Sequence, residues 1–274
     1  MNLTFRSDLT AEEHDRFVLS LPHYNVTQTA AWPQIKTEWQ SFFCGLFDGE
    51  KQVGGALVLL RKIMPAIRVM YIPRGFLCDW SSSEQVFAFA GGLKKFAAEK
   101  KAYLVRIDPE IVISVTAKGE KKEIAEGMQR LENLKNAGFL HKGFAMDFTS
   151  YTQPRFNAEY FLTEEDGQPK SDEVILSGFD KKLKKFIGRY TAERGIAFRA
   201  VHGSEAADLF HRISEHTEQR QHILLRDGGY FRRMAEAFGD NCTFFFAEMN
   251  LDAFMAFCRE KIEKENDERA KEDL

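Results

Sequence analysis

Residues 41–62, SFFCGLFDGEKQVGGALVLLRK, form two runs of aromatic and β-branched residues around Asp48-Gly49. Such a dipeptide between strand-forming runs is a strong local signal for a β-hairpin. Next come the strand RVMYI, ended by Pro73, the helical stretch Ser83 to Lys100 and the strand AYLVRID. A hairpin followed by strand, helix and strand predicts a mixed sheet flanked by helices, an α/β (α+β) fold.

Thr10 to Leu21 suits a helix, with Thr10 as N-cap and Glu13 at capping-box spacing. A short helix covers Ala30 to Trp39, with Pro33 tolerated in its first turn. In Ser83 to Lys100, Val86, Phe87, Ala90, Leu93 and Ala97 fall on one stripe, with Lys94, Lys95 and Lys100 largely off it. Lys122 to Asn136 carries Ile124, Met128, Leu131 and Leu134, and Gly138 stands where a C-terminal cap belongs. HKGFAMDFTSYTQPRFNAEYFL supplies two extended pieces interrupted at Gln153-Pro154-Arg155.

Beyond the polar loop EEDGQPKSDE the order repeats. Helix Leu176 to Arg194, strand IAFRAV, helix Ala206 to Thr217, a short helix Tyr230 to Phe238 and strand CTFFFAEM follow one another. The expected division is a first subdomain over 1–150, a second over 151–258, and a charged tail over 259–274 that is a solvated helix or frayed end.

Charge and cysteine usage narrow the function classes. With 38 Lys and Arg against 41 Asp and Glu, the net charge is −3, so any nucleic-acid contact has to be local. No apolar run approaches the roughly 20 residues that span a bilayer. The start MNLTFRSDLTAEEHDRF lacks a signal peptide's basic and apolar segments, and a cytoplasmic location is expected. Cys44, Cys78, Cys242 and Cys258 form no CxxC pair and read as buried, reduced thiols. His211 and Glu215 stand at i, i+4 with no third ligand suggested, so a helix surface is expected rather than a metal site.

Six stretches in register carry a resemblance over nearly the whole chain: PHYNVTQTAAWPQIK, PRGFLCDW, LVRIDP, YTQPRF, FDKKLKKFIGRYTAERGI and HTEQRQHILLRDGGYF. Together they resemble the FemABX family of peptidoglycan interpeptide-bridge aminoacyltransferases. The resemblance implies two acetyltransferase-like (GNAT-type) subdomains, the second of them, over 151–258, incomplete beside the family's pattern. It also implies transfer of an amino acid from aminoacyl-tRNA to the stem-peptide lysine amine of a UDP-linked or lipid-linked muropeptide. A lipid-linked acceptor would need only peripheral membrane contact. The alternative is a non-catalytic relative that binds the precursor or a full-length partner. Self-association is a further expectation.

An aminoacyl ester is already activated, so the enzyme has chiefly to align a neutral amine with the ester carbonyl and stabilise the oxyanion. No covalent nucleophile is required, and the chain has no GxSxG elbow or HExxH motif. VGGALV is a strand interior rather than a pyrophosphate loop, which favours a carrier other than CoA, and no cofactor is expected. The resemblance assigns Lys36 and Arg220 to the precursor's diphosphate; each also reads as a solvated helix-end charge. Tyr103 and Tyr230 match groove-lining positions, although Tyr103 equally reads as packing. Arg74 beside Gly75 sits at a tight turn, where Phe76 replaces the family's usual proline. Trp32 and Trp80 read as sugar- or base-stacking residues, or as core and groove wall.

Asp108, at the end of LVRI, is expected to orient or deprotonate the attacking ammonium, or else to make an Asx-type turn before Pro109. For tRNA the candidate is the outer face of Leu176 to Arg194, with Lys181, Lys182, Lys184, Lys185 and Arg189 and a net charge of +4. Phe179, Leu183, Phe186, Ile187 and Tyr190 are its expected buried stripe; the plain alternative for the charged face is a solvated one.

Overall fold

The structure is a computed structural model that describes residues 2–117, 120–144, 153–154, 160–164, 166–193 and 195–272, without the side chains of 117, 188, 190–193 and 267–272. The described residues gather into two compact units, Met1–Asn157 and Ala158–Leu274.

In the first unit the elements run β1 (Leu3–Arg6), α1 (Ala11–Val18), α2 (Trp32–Ile35), β2 (Gln40–Asp48), β3 (Lys51–Met64), β4 (Ile67–Ile72), α3 (Ser83–Glu99) and β5 (Ala102–Ile107). A small hairpin, β6 (Ser114–Ala117) with β7 (Glu120–Glu123), and α4 (Ala125–Asn136) complete it. The five-stranded sheet has the order β1-β2-β3-β4-β5, antiparallel throughout except for the parallel β4–β5 pair, whose crossover is α3. The mixed sheet flanked by helices is therefore present. The hairpin turns at Gly49-Glu50, with Asp48 opposite Lys51 and Gly49 at φ 60°, a conformation that favours glycine.

Capping sets the helix ends. Thr10 and Glu13 make both bonds of the capping box. Gly138, at φ 95°, closes α4, with the Phe139 amide reaching back to the Leu134 carbonyl. The predicted Ala30 to Trp39 helix shrinks to the single turn of α2, because Lys36 leaves helical dihedrals after Pro33.

The stripe on α3 differs at one position. Phe87 is 47% exposed, whereas Phe89 and Phe96 are buried with Val86, Ala90, Leu93 and Ala97. Phe89 stacks on Phe76 and meets the edge of Phe5, so the helix is rotated toward β1 relative to the predicted face. Gly92 admits this approach, since a Cβ there would lie 2.1 Å from the Phe5 ring. The β6–β7 hairpin was not anticipated, and the predicted extended pieces over 145–152 and 155–159 lie outside the described residues.

The second unit runs α5 (Asp172–Ser177), α6 (Lys181–Glu193), β8 (Ile196–Val201), α7 (Gly203–Gln221), α8 (Gly228–Phe238), β9 (Phe244–Met249) and α9 (Leu251–Glu272). Strands β8 and β9 pair antiparallel, and Phe244 and Phe246 turn one face toward Phe210. The predicted helix over Leu176 to Arg194 is instead two, broken at 178–180, where the Asp180 carboxylate caps α6 by accepting the Leu183 amide at 2.8 Å. Of its expected buried stripe, Leu183, Phe186 and Ile187 are each more than a third exposed and Phe179 is half-buried, while the Tyr190 side chain lies outside the described residues. Residues 259–272 of the charged tail continue helix α9.

Cys44 and Cys242 are buried, and Cys78 and Cys258 are half-buried thiols. Burial pushes the Cys44 thiol up to about 12 and raises Cys78 and Cys242 as well, so these three are poor nucleophiles.

Candidate functional site

Strands β4 and β5 are parallel and end together, Ile72 opposite Ile107, so the loops that follow them emerge side by side. Polar groups commonly collect at the carboxyl ends of parallel strands. Here Asp108 is the centre. Its carboxylate accepts the Tyr71 hydroxyl, the Arg74 amide and the Gln153 amide, each at 2.7 Å. These bonds are long-range, so the Asx-turn reading is replaced by a clamp joining β4, the 73–76 turn and the 153–154 segment. Burial, and then the Asp108 charge, raise the Tyr71 phenol, which stays a hydrogen-bond donor.

Arg74 occupies the left-handed region at φ 54°, an uncommon conformation for a residue with a Cβ. Its amide is held by Asp108, its guanidinium donates to the Pro154 carbonyl at 2.8 Å, and it pairs with Glu110 at 3.3 Å. Glu110 in turn accepts from the Asn25 side chain at 3.3 Å. The 22–31 segment is thereby joined to the strand ends.

Gln28 fixes that segment from below. It is fully buried, donates to the Pro73 carbonyl and accepts the Leu57 amide at 2.9 Å. Its own carbonyl lies 2.7 Å from Nε2 of the buried His14, whose ring stacks on Phe43. An unpaired buried amide would cost about 1–3 kcal/mol, so this polarity is structural. Further along the chain, Trp32 is buried and Lys36 lies 5.5 Å over its ring. Trp32 is thus a packed platform for Lys36. Trp80 packs on Phe76 at the edge of the core.

Among the other expected site residues of the first unit, Tyr103 is placed apart from Asp108. Tyr103 is at the start of β5, the far end of the strand, and is 85% exposed, which removes the packing reading. In the second unit Arg220 is exposed in the last turn of α7, and Tyr230, in the first turn of α8, lies under the Arg226 guanidinium at 5.4 Å. Lys181, Lys182, Lys184, Lys185 and Arg189 are exposed on α6, with Lys184 donating to the Ser177 carbonyl. His211 and Glu215 approach to 3.6 Å on α7.

Sequence reasoning missed Tyr71, Gln28, Asn25 and Glu110. Gln28 and Asn25 were signalled by their polarity within an otherwise apolar, aromatic stretch, and Glu110 by its position two residues after Asp108. Tyr71 carried no signal, since it alternates like any strand residue.

Fold and site together define an α/β protein whose polar loops are tied into one knot at the carboxyl ends of parallel strands. The chain belongs to the FemAB family, whose model matches residues 9–273. Lipid II:glycine glycyltransferases of Staphylococcus aureus strains USA300 and N315 are each 32% identical over 235 residues, 84% of this chain and 51% of theirs. The crystal structure of FemX superposes with a TM-score of 0.74 at 27% identity, covering 99% of this chain and 63% of that one. The chain thus spans about half the length of the curated relatives it matches.

Proposed function

We propose that this protein takes part in building the peptidoglycan interpeptide bridge, transferring an amino acid from aminoacyl-tRNA to the stem-peptide lysine amine of a muropeptide. The observation that carries the reading is the family match over residues 9–273, with relatives named as glycyltransferases acting on lipid II. In the transfer, the amine nitrogen bonds to the ester carbonyl carbon as the C–O bond to the tRNA ribose breaks. One amine proton ends on the departing hydroxyl.

The polar knot supports a positioning role for Asp108. Its carboxylate already accepts three hydrogen bonds, so it acts by holding the 73–76 turn and the 153–154 segment where substrate passes, rather than as a free base. Lys36, braced on Trp32, is the proposed diphosphate contact of the first unit, and Arg220 that of the second. Tyr103, Tyr230 and Arg74 are the remaining proposed substrate contacts, and α6 is the proposed tRNA surface.

The test is turnover of charged tRNA with UDP-linked and with lipid-linked muropeptide. Appearance of the aminoacylated muropeptide is expected. Precursor binding without turnover would assign this chain the binding role alone, and activity with an acyl-CoA donor would contradict the tRNA reading.

A further inference from the structure

We propose that the end of the first-unit sheet opposite Asp108 is a docking surface for an anionic lipid bilayer. The β3–β4 hairpin reads RKIMPAIR from Arg61 to Arg68, and at its tip Met64 faces Ile67. Ile63 is 53% and Met64 56% exposed, so two aliphatic side chains stand in water at a protruding turn. Cations surround them. Arg61 lies 5.7 Å over Trp39, Lys62 pairs in register with Arg68, and Arg68 donates to the carbonyl of Lys100 at 3.2 Å. Register carries the cluster across the sheet: Gln40 is opposite Leu60, and Arg68 is opposite Ala102, beside Lys101.

The residues flanking these strand ends include Arg61, Lys62, Arg68, Lys100 and Lys101 against Glu38 and Glu99, a local +3 in a chain of net −3. An apolar tip ringed by Lys and Arg, with Trp39 beside it, matches an interface of anionic headgroups over hydrocarbon. RNA would use the cations but gain nothing from Ile63 and Met64, and a protein partner would not require so many like charges. The observations therefore favour a membrane.

The geometry has a consequence for the proposed transfer. Ala102 and Asp108 are separated by the length of β5, about 20 Å at roughly 3.3 Å per residue. A hairpin seated in the headgroups holds the Asp108 knot above the bilayer, where the peptide of a lipid-tethered acceptor stands. That last step rests on the proposed function; the surface itself does not.

The experiment is co-sedimentation of the whole 274-residue protein with vesicles of phosphatidylcholine alone and of equal parts phosphatidylcholine and phosphatidylglycerol. Binding to the anionic vesicles that falls at high salt is expected, with little binding to the neutral ones. Ile63→Ser/Met64→Ser is expected to weaken it at least about tenfold at an unchanged melting temperature. Lys62→Gln and Lys101→Gln should each cost about fivefold at low salt. Wild-type binding by the Ile63/Met64 variant, equal binding to neutral vesicles, or a loss seen with single-stranded RNA but not with vesicles would overturn the proposal. Transfer to the soluble acceptor is a separate readout: its absence with intact vesicle binding would count against the transferase reading alone.

Discussion

The Asp108 carboxylate holds the backbone amide of Arg74 at 2.7 Å, fixing in the left-handed region a residue whose side chain then ties Glu110 and Pro154 to the same place. Asp108→Asn keeps the shape but replaces one acceptor oxygen with a donor that faces N–H or O–H groups. A loss of about 2 kcal/mol of stability is expected from charged hydrogen bonds of this kind, measured by urea unfolding. In the transfer assay kcat should fall while a residual rate persists. Loss of all turnover at unchanged stability would instead indicate a base.

Gly91 and Gly92 are neighbours on α3 with opposite surroundings. A Cβ at Gly91 meets nothing within 4 Å, so Gly91→Ala should stabilise the helix by about 0.5–1 kcal/mol. At Gly92 the Cβ would enter the Phe5 ring, and Gly92→Ala should destabilise by about 1–3 kcal/mol through overpacking. Thermal melts of the two variants, shifted in opposite directions, check the α3–β1 packing.

His14 gives the fold a pH dependence. Burial depresses its imidazole below the ordinary value, and the hydrogen bond to Gln28 and the Asp15 charge only partly offset this. The unfolded chain therefore takes up the proton first. The contribution is complete above about pH 6.5, declines as pH falls below that, and levels off once the depressed folded value is passed. Unfolding free energies of wild type and His14→Gln, compared between about pH 7.5 and about pH 5, should differ in slope, the wild type losing more. Parallel slopes would contradict the assignment.

On α6 the four lysines and Arg189 are exposed, as a phosphate-binding face requires. Replacing Lys181, Lys182, Lys184 and Lys185 by Gln should weaken tRNA binding and flatten its dependence on log salt by roughly 0.7–0.9 for each phosphate no longer neutralised. An affinity that ignores salt would remove this helix from the tRNA surface.

Much of the architecture was legible because it is locally encoded. The capping box at Thr10 and Glu13, the Gly138 cap and the turn after Asp48 are decided by residues within a few positions of one another. The errors arise where tertiary packing decides. Phe87 and Phe89 both fit a helical stripe, and only the approach of Phe5 over Gly92 selects Phe89. The break at 178–180 follows from Asp180 preferring to cap α6 over continuing a helix. Asp108 was found from its place at a strand end, but its partners Tyr71, Arg74 and Gln153 are 34 to 45 positions away and no local pattern marks them.

Lys36 in the first unit and Arg220 in the second are the proposed cationic contacts of a muropeptide precursor's diphosphate, and the proposed function depends on each of them. Calorimetric titration of UDP-linked muropeptide into wild type, Lys36→Ala, Arg220→Ala and the double variant tests it directly. The expected result is binding by the wild type, a loss of about tenfold or more in each single variant, and a larger loss in the double variant. Wild-type affinity in both single variants, or no binding by any of the four proteins, would contradict it.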